Sequence, residues 1–255
     1  MGWDGINYKK SIITRPNPLP RNALDAALSV QVASIGTKFR YNFSVFNSEE
    51  SLQSIEDIAL KNLATPPSTV ILPKNWEFSP NMSNGLISWS IKIPLDYFRE
   101  SLIKPGESTD SLSFYSLGIP RVSSFFIQGN NGKYGISSSS VLMSNSFSGY
   151  ILGPWLPDST MSLDSFTDTL ETFCFRSCEE LGWANDGTVC GQLEDDLSEI
   201  KTNLQEGDSL SAANAISDFI ELVEQEKDES LTSEGYALLF FNAEYLRRRL
   251  EGGDH

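Results

Sequence analysis

The side chains of this chain change rhythm once, at Pro154-Trp155-Leu156-Pro157. Upstream, apolar and polar residues alternate, the period of a half-buried strand; downstream, apolar residues return every third or fourth position, the period of an amphipathic helix. One kind of element cannot serve both rhythms, so a β part followed by an α part is expected. With 255 residues there is length for two cores. The boundaries are set at 1–25 for an extended lead-in carrying Pro16, Pro18 and Pro20, 26–153 for a β domain, 154–161 for a linker and 162–252 for a helical bundle.

In the first part, residues 27–35, 38–47, 54–60, 68–72, 85–93, 110–117, 123–129 and 147–153 read as strands separated by Pro, Gly, Asn and Ser. Phe39, Tyr41, Phe43 and Val45 alternate with Lys38, Arg40, Asn42 and Ser44, giving one buried face and one wet face. Short strands without helices between them predict an antiparallel, immunoglobulin-like β-sandwich as the N-terminal domain of a multi-domain chain, with an antiparallel helical bundle after it. In the second part Ser162 caps a helix carrying Leu163, Phe166, Leu170 and Phe173 that stops at Gly182. Leu193, Leu197, Ile200 and Leu204 mark a second helix, ending at Gly207. Ala213, Ile216, Phe219, Ile220 and Val223 mark a third, and Tyr236, Leu239, Ala243, Leu246 and Leu250 a fourth. Connections this short make neighbouring helices antiparallel. Trp155, set between two prolines, predicts a fixed junction rather than a hinge.

Charge divides at the same place. Residues 1–157 hold 13 Lys and Arg against 11 Asp and Glu, and residues 158–255 hold 6 against 23, so the helical part carries −17 of a net −15. That field repels phosphate, and no basic stripe interleaves with aromatics, so nucleic acid is excluded as a partner. No apolar run approaches the roughly 20 residues that span a bilayer as a helix, so membrane insertion is not expected. The single histidine, His255, closes the chain, which removes Ser-His-Asp and Cys-His catalysis and His-ligated metals. No phosphate-binding glycine loop or nucleophile elbow occurs, and no cofactor is expected. A carboxylate-pair glycosidase needs no fixed spacing, but most of the acids fall on outward helix positions. The group Glu194, Asp195, Asp196 and Glu199 and the run Asn185-Asp186-Gly187 lack the ligand spacing of a calcium loop. They read as a solvated face and a helix cap. Arg247, Arg248 and Arg249 read as a solvated helix end that complements the dipole.

The three cysteines lie within one 17-residue window. If two antiparallel helices meet around Ala184, Cys178 and Cys190 stand six residues either side of the turn and are candidates for a disulfide, with Cys174 left over. Reduced core thiols and a three-cysteine metal site helped by a carboxylate are the rival readings; a bond between Cys174 and Cys178 is disfavoured by helical geometry. Among aromatics, Trp76, Tyr97 and Tyr134 are the candidates for stacking on a sugar, although Trp76 is also suited to plugging its Pro-rich loop. Trp89 belongs in the core, and Trp155 and Trp183 in packing at the junction and at a helix turn.

The helical residues 212–246 resemble the FIMAH-type module found at the C-termini of secreted bacterial proteins. The β part is similar to an uncharacterised domain that often precedes it. Tyr41, Phe43, Val45 and Asn47, then Asn75-Trp76, Ile87 and Trp89, then Ile103, Pro105, Gly106 and Ser108, then Ser148, Gly149, Gly153 and Pro154 follow the order of that domain's motifs. After the turn at Leu117–Pro120 the family often has Pro-Gly, whereas here Arg121 follows Pro120. The resemblance implies secretion or the cell surface; the start Met-Gly-Trp-Asp-Gly lacks a signal pattern, so either a signal peptide is absent from this form of the chain, the favoured reading, or the protein is cytosolic. The resemblance also implies a non-catalytic binding or surface-association module, its partner a glycan or a cell-surface protein. The alternative is a carbohydrate-binding accessory protein or weak glycoside hydrolase.

Overall fold

A computed structural model describes residues 20, 22–61, 67–81, 85–91, 98–130 and 145–252, and the change of element type falls at the predicted place. Most of the expected lead-in lies outside the described residues. The strands are β1 (Ala26–Ile35), β2 (Lys38–Asn47), β3 (Ile55–Lys61), β4 (Ser68–Ile71), β5 (Trp76–Asn81), β6 (Leu86–Ile91), β7 (Ser108–Ser116), β8 (Ile119–Gly129) and β9 (Phe147–Trp155). They form two antiparallel sheets, ordered β1-β2-β7-β4 and β5-β6-β3-β8-β9. The predicted alternation of β2 holds: Phe39, Tyr41, Phe43 and Val45 are buried and their neighbours are not. Across the gap between sheets, Trp89 of β6 meets Phe43 at 5.4 Å and Phe114 of β7 at 6.0 Å between ring centroids. Tyr41, buried in the same layer, donates its hydroxyl to the Gly118 carbonyl at 2.9 Å.

Three local expectations need correction. Residues 76–81 form strand β5 rather than a loop. Pro80 interrupts the alternation, yet β5 pairs on one side with β6 and is a sheet edge, where a missing N–H is tolerated. The turn between β7 and β8 is made at Leu117-Gly118, and Pro120 and Arg121 lie inside β8. Strand β9 also runs through Pro154 and Trp155, the first two residues assigned to the linker.

One short helix, Phe98–Ser101, interrupts the strands between β6 and β7, where none was expected; after β9 come α1 (Leu163–Phe175), continued by a π turn at Arg176–Glu180, α2 (Gly187–Glu206), α3 (Ser209–Gln225) and α4 (Ser233–Leu250). Each of these four starts at a side-chain cap, Ser162, Asp186, Asp208 and Thr232 in turn, which accepts a backbone N–H of the first turn. The expected stripe on α3 holds at Ile216, Phe219, Ile220 and Val223, while at its start Ala212 and Ala215 are buried and Ala213 is half-buried. Cys178 and Cys190 form a disulfide with Cα atoms 6.0 Å apart, tying the end of α1 to the start of α2, and Cys174 remains a buried free thiol.

Helix α4 departs most from its sequence pattern. Of the predicted stripe Leu239, Ala243 and Leu246 are buried and Tyr236 and Leu250 half-buried, and Ala237, Leu238, Phe241 and Asn242 are buried as well, because one face packs on the bundle and the other on the sandwich. Phe241 meets Phe39 edge to face at 5.1 Å. Asn242 donates through Nδ2 to the Pro120 carbonyl of β8 at 2.8 Å. At the free edge of β1, the Val30 N–H donates to Glu234 Oε1 at 2.8 Å and the Ser233 hydroxyl donates to the Val30 carbonyl at 3.3 Å. A helix start thus satisfies a strand edge that would otherwise be an open template for pairing. On the bundle side, Gly235 lets the start of α4 lie against the turn between α1 and α2, since a Cβ there would stand 2.5 Å from the Trp183 carbonyl oxygen. The buried apolar side chains form one cluster that runs through sheets and helices.

Replacing Glu234 by Ala leaves the buried Val30 N–H without its acceptor, so urea unfolding is expected to show a loss of about 1–3 kcal/mol, with faster hydrogen exchange at Val30. The double change Cys178→Ser and Cys190→Ser releases a short loop and is expected to cost about 3 kcal/mol by the same measurement. Non-reducing peptide mapping of the unaltered protein should recover Cys178 and Cys190 in one linked pair.

Candidate functional site

Arg121 and Trp155 come from paired strands. Ile119 lies opposite Trp155 and Arg121 opposite Gly153, so the two side chains are diagonal neighbours on one face. The Arg121 guanidinium rests over the Trp155 ring at 5.3 Å. On the facing helix, Thr169, Thr172, Phe173 and Arg176 follow at steps of three, one and three, which puts them on one side of α1 and its π turn. Trp155 fixes the two surfaces against each other by stacking parallel to Phe166 at 6.3 Å and meeting Phe173 edge-on at 6.4 Å. Between them lies a hollow of about 420 Å³, lined by Arg121, Trp155, Asp168, Thr169, Thr172 and Arg176 among others.

The charges in this hollow are unequal. Arg176 donates through Nε to Glu180 at 2.8 Å and sits over the Tyr150 ring at 4.8 Å. Arg121 has no hydrogen bond or ion pair from its guanidinium among the described residues. Burial first, and then the like charge of Arg176, press Arg121 below its ordinary value. Asp168, the carboxylate lining the hollow, already shares Lys201 of α2, which lies 2.7 Å from Asp168 and 2.8 Å from Glu171. Thr169 and Thr172 donate their hydroxyls to the Ser165 and Asp168 carbonyls, leaving their oxygen lone pairs as acceptors. The indole N–H of Trp155 is buried without a partner among the described residues. The arrangement can receive a negative group beside Arg121 and hydroxyl donors beside the threonines.

The residues singled out from the sequence lie elsewhere. Trp76 is 6% exposed and donates its indole N–H to the Ser101 carbonyl at 3.0 Å, so its ring faces packing instead of solvent. A smaller hollow of about 180 Å³ borders it. Tyr97 and Tyr134 lie outside the described residues. Trp89 is in the core as expected, and Trp183 is buried at the turn between α1 and α2. The motif residues are structural: Asn47 donates through Nδ2 to the Gln53 and Ile103 carbonyls, and its own carbonyl accepts the Gly106 N–H. Asp186 caps α2, and the backbone bonds from Thr188 and Val189 hold its carboxyl below the usual range. Burial, then Asp218, Glu199 and Asp195, raise Asp196. Among the described residues no group of three or more His, Cys, Asp or Glu is arranged to hold a metal. The arginine run is not wholly solvated, because Arg249 donates to the Met161 carbonyl and anchors the end of α4 on the segment after β9.

Sequence reasoning missed Arg121, Asp168, Thr169, Thr172 and Arg176. One signal was visible: Arg121 is the single charged residue of β8. Comparison with known proteins gave no match, either to a protein-family model or to a curated protein.

Cys174 is not an activated thiol. Burial, assisted by Glu194, pushes it up to about 12. Its folded value lies above the unfolded one, so its contribution to stability is intact below pH 9 and is lost as pH rises toward about 12. Tyr41, raised well above its ordinary value of 10.0 by burial, adds a loss of the same sign that begins as pH passes 10. Urea midpoints measured from pH 8 to 11 should fall, and fall less steeply for Cys174→Val. In the native protein at pH 8, Cys174 should resist alkylation until the chain is unfolded.

Proposed function

We propose that this chain is a non-catalytic extracellular binding or surface-association module in which sandwich and bundle act as one piece. The observation that carries the reading is the junction hollow, which has one wall from β8 and β9 and the other from α1 and exists only when the two halves are docked. Ligand sites favour such interfaces. The hollow presents guanidinium groups and hydroxyls, a lining suited to holding a ligand, whereas hydrolysis of a glycoside by the usual route calls for a pair of carboxylates. The burial of Trp76 also supports a module without an aromatic platform at that position. The Cys178–Cys190 disulfide supports an oxidising compartment, and the ordered motifs over residues 38–250 support the same placement through the secreted proteins they resemble.

A glycan array read together with a thermal-shift screen tests the reading. At least one extracellular glycan or surface polymer is expected to retain the protein. A soluble form of it at a hundredfold excess over Kd should stabilise the fold by about 2.7 kcal/mol. Retention by neither glycans nor intact cell surfaces, or a chain recovered from its native source with all three cysteines reduced, would overturn it.

A further inference from the structure

We propose that the junction hollow binds a hydroxylated carboxylate, the chemistry of a uronic acid unit in an acidic glycan, with Arg121 as the principal anchor. The glycan origin of the ligand rests on the binding-module reading above; the carboxylate and hydroxyl chemistry rests on the hollow itself. Its volume of about 420 Å³ is within the range of small-ligand sites. Arg121 is a half-buried guanidinium with no anionic partner among the described residues, held in place by the Trp155 ring. Arg176, a second guanidinium in the lining, adds to the positive potential that meets an incoming carboxylate. A planar fork of N–H donors matches a carboxylate with two parallel hydrogen bonds.

The rest of the lining selects what the carboxylate is attached to. Thr169 and Thr172 have spent their protons on backbone carbonyls and offer only lone pairs, and the Asp168 carboxylate offers acceptors as well. These groups take hydrogen bonds from ligand hydroxyls. Arg121 lies over the Trp155 ring, and Val122, Met161 and Phe173 add apolar lining against which the carbon skeleton of the ligand can rest. The surrounding bundle carries a net −17, which repels dense polyanions and admits a ligand with one negative charge among several hydroxyls. Asp168 disfavours a dianionic phosphate for the same reason. Glu180 competes for Arg176 through its 2.8 Å bond to Nε, which leaves Arg121 as the less committed of the two cations.

The test is a calorimetric titration of the full chain with sodium glucuronate, a trisaccharide of neutral sugars ending in one glucuronate unit, glucose and inorganic phosphate, repeated for Arg121→Gln and Arg176→Gln. Expected are saturable, salt-sensitive binding of glucuronate, tighter binding of the trisaccharide, and no binding of glucose. Arg121→Gln should weaken glucuronate binding by about tenfold or more, Arg176→Gln by less, with unchanged melting temperatures. Because a variant can also lose binding by unfolding, the unaltered protein is followed by NMR. The Trp155 indole N–H signal, assigned with Trp155→Phe, should shift with glucuronate and not with glucose. Glucose binding as well as glucuronate, phosphate binding better than either, or full affinity in a folded Arg121→Gln overturns the proposal. Binding of free glucuronate without the trisaccharide upholds the site and overturns the glycan origin, which separates this inference from the module reading.

Discussion

Helix α4 is buried on two opposite faces, and this double contact holds the sandwich and the bundle in a single arrangement. Its apolar residues give adhesion: Phe241 against Phe39 on one side, Leu239 and Leu246 within the helices on the other. Its polar residues give register. Glu234 and Asn242 each satisfy a named backbone group of the sandwich, Val30 N–H and the Pro120 carbonyl. Apolar packing alone tolerates sliding, whereas a buried carboxylate displaced from its donor would lose its hydrogen bond in a place water does not reach. Trp155 repeats the same logic at the other connection, as the last residue of β9 and a ring stacked on α1.

The candidate site is a consequence of that docking. Arg121 belongs to a strand and Arg176 to a helical turn, and nothing in either element brings cations together. Docking does so, while the aromatic rings of Trp155 and Tyr150 support one guanidinium each. In a bundle so rich in carboxylates, this corner is where positive charge faces a hollow. Lys201 reinforces the contrast by occupying Asp168 and Glu171 together, so part of the local negative charge is already neutralised on the bundle side.

Strand and helix boundaries were legible because their signals are local. The alternation of β2, the capping residues Ser162 and Asp186 and the fourth helix from Ser233 to Leu250 each follow from neighbouring residues. Strand β5 was not legible, since Pro80 and the polar Asn75 and Asn81 around Trp76 carry loop chemistry and only pairing with β6 makes them a strand edge. The second face of α4 was missed because Tyr236, Leu239, Ala243 and Leu246 already account for one stripe. Leu238 and Phe241 read as ordinary scatter until a sheet is placed against them. Trp76 illustrates the converse. Its loop-like context favoured exposure as much as burial, and the Ser101 carbonyl, 25 positions away, decided the matter.

By itself the sequence determined most of the strands and the four helices after them, where one kind of element gives way to the other, and that the negative charge gathers on the helical side. Those properties depend on residues within a few positions of one another, so side-chain period, caps and composition suffice. Only the tertiary structure decided that Glu234 closes the edge of β1, that Arg121 and Arg176 share a hollow, and that the motif residues Asn47 and Trp76 serve the fold. Each of these joins groups from distant parts of the chain. Their meeting is set by how two hydrophobic surfaces fit together, and no local pattern of residues encodes that fit.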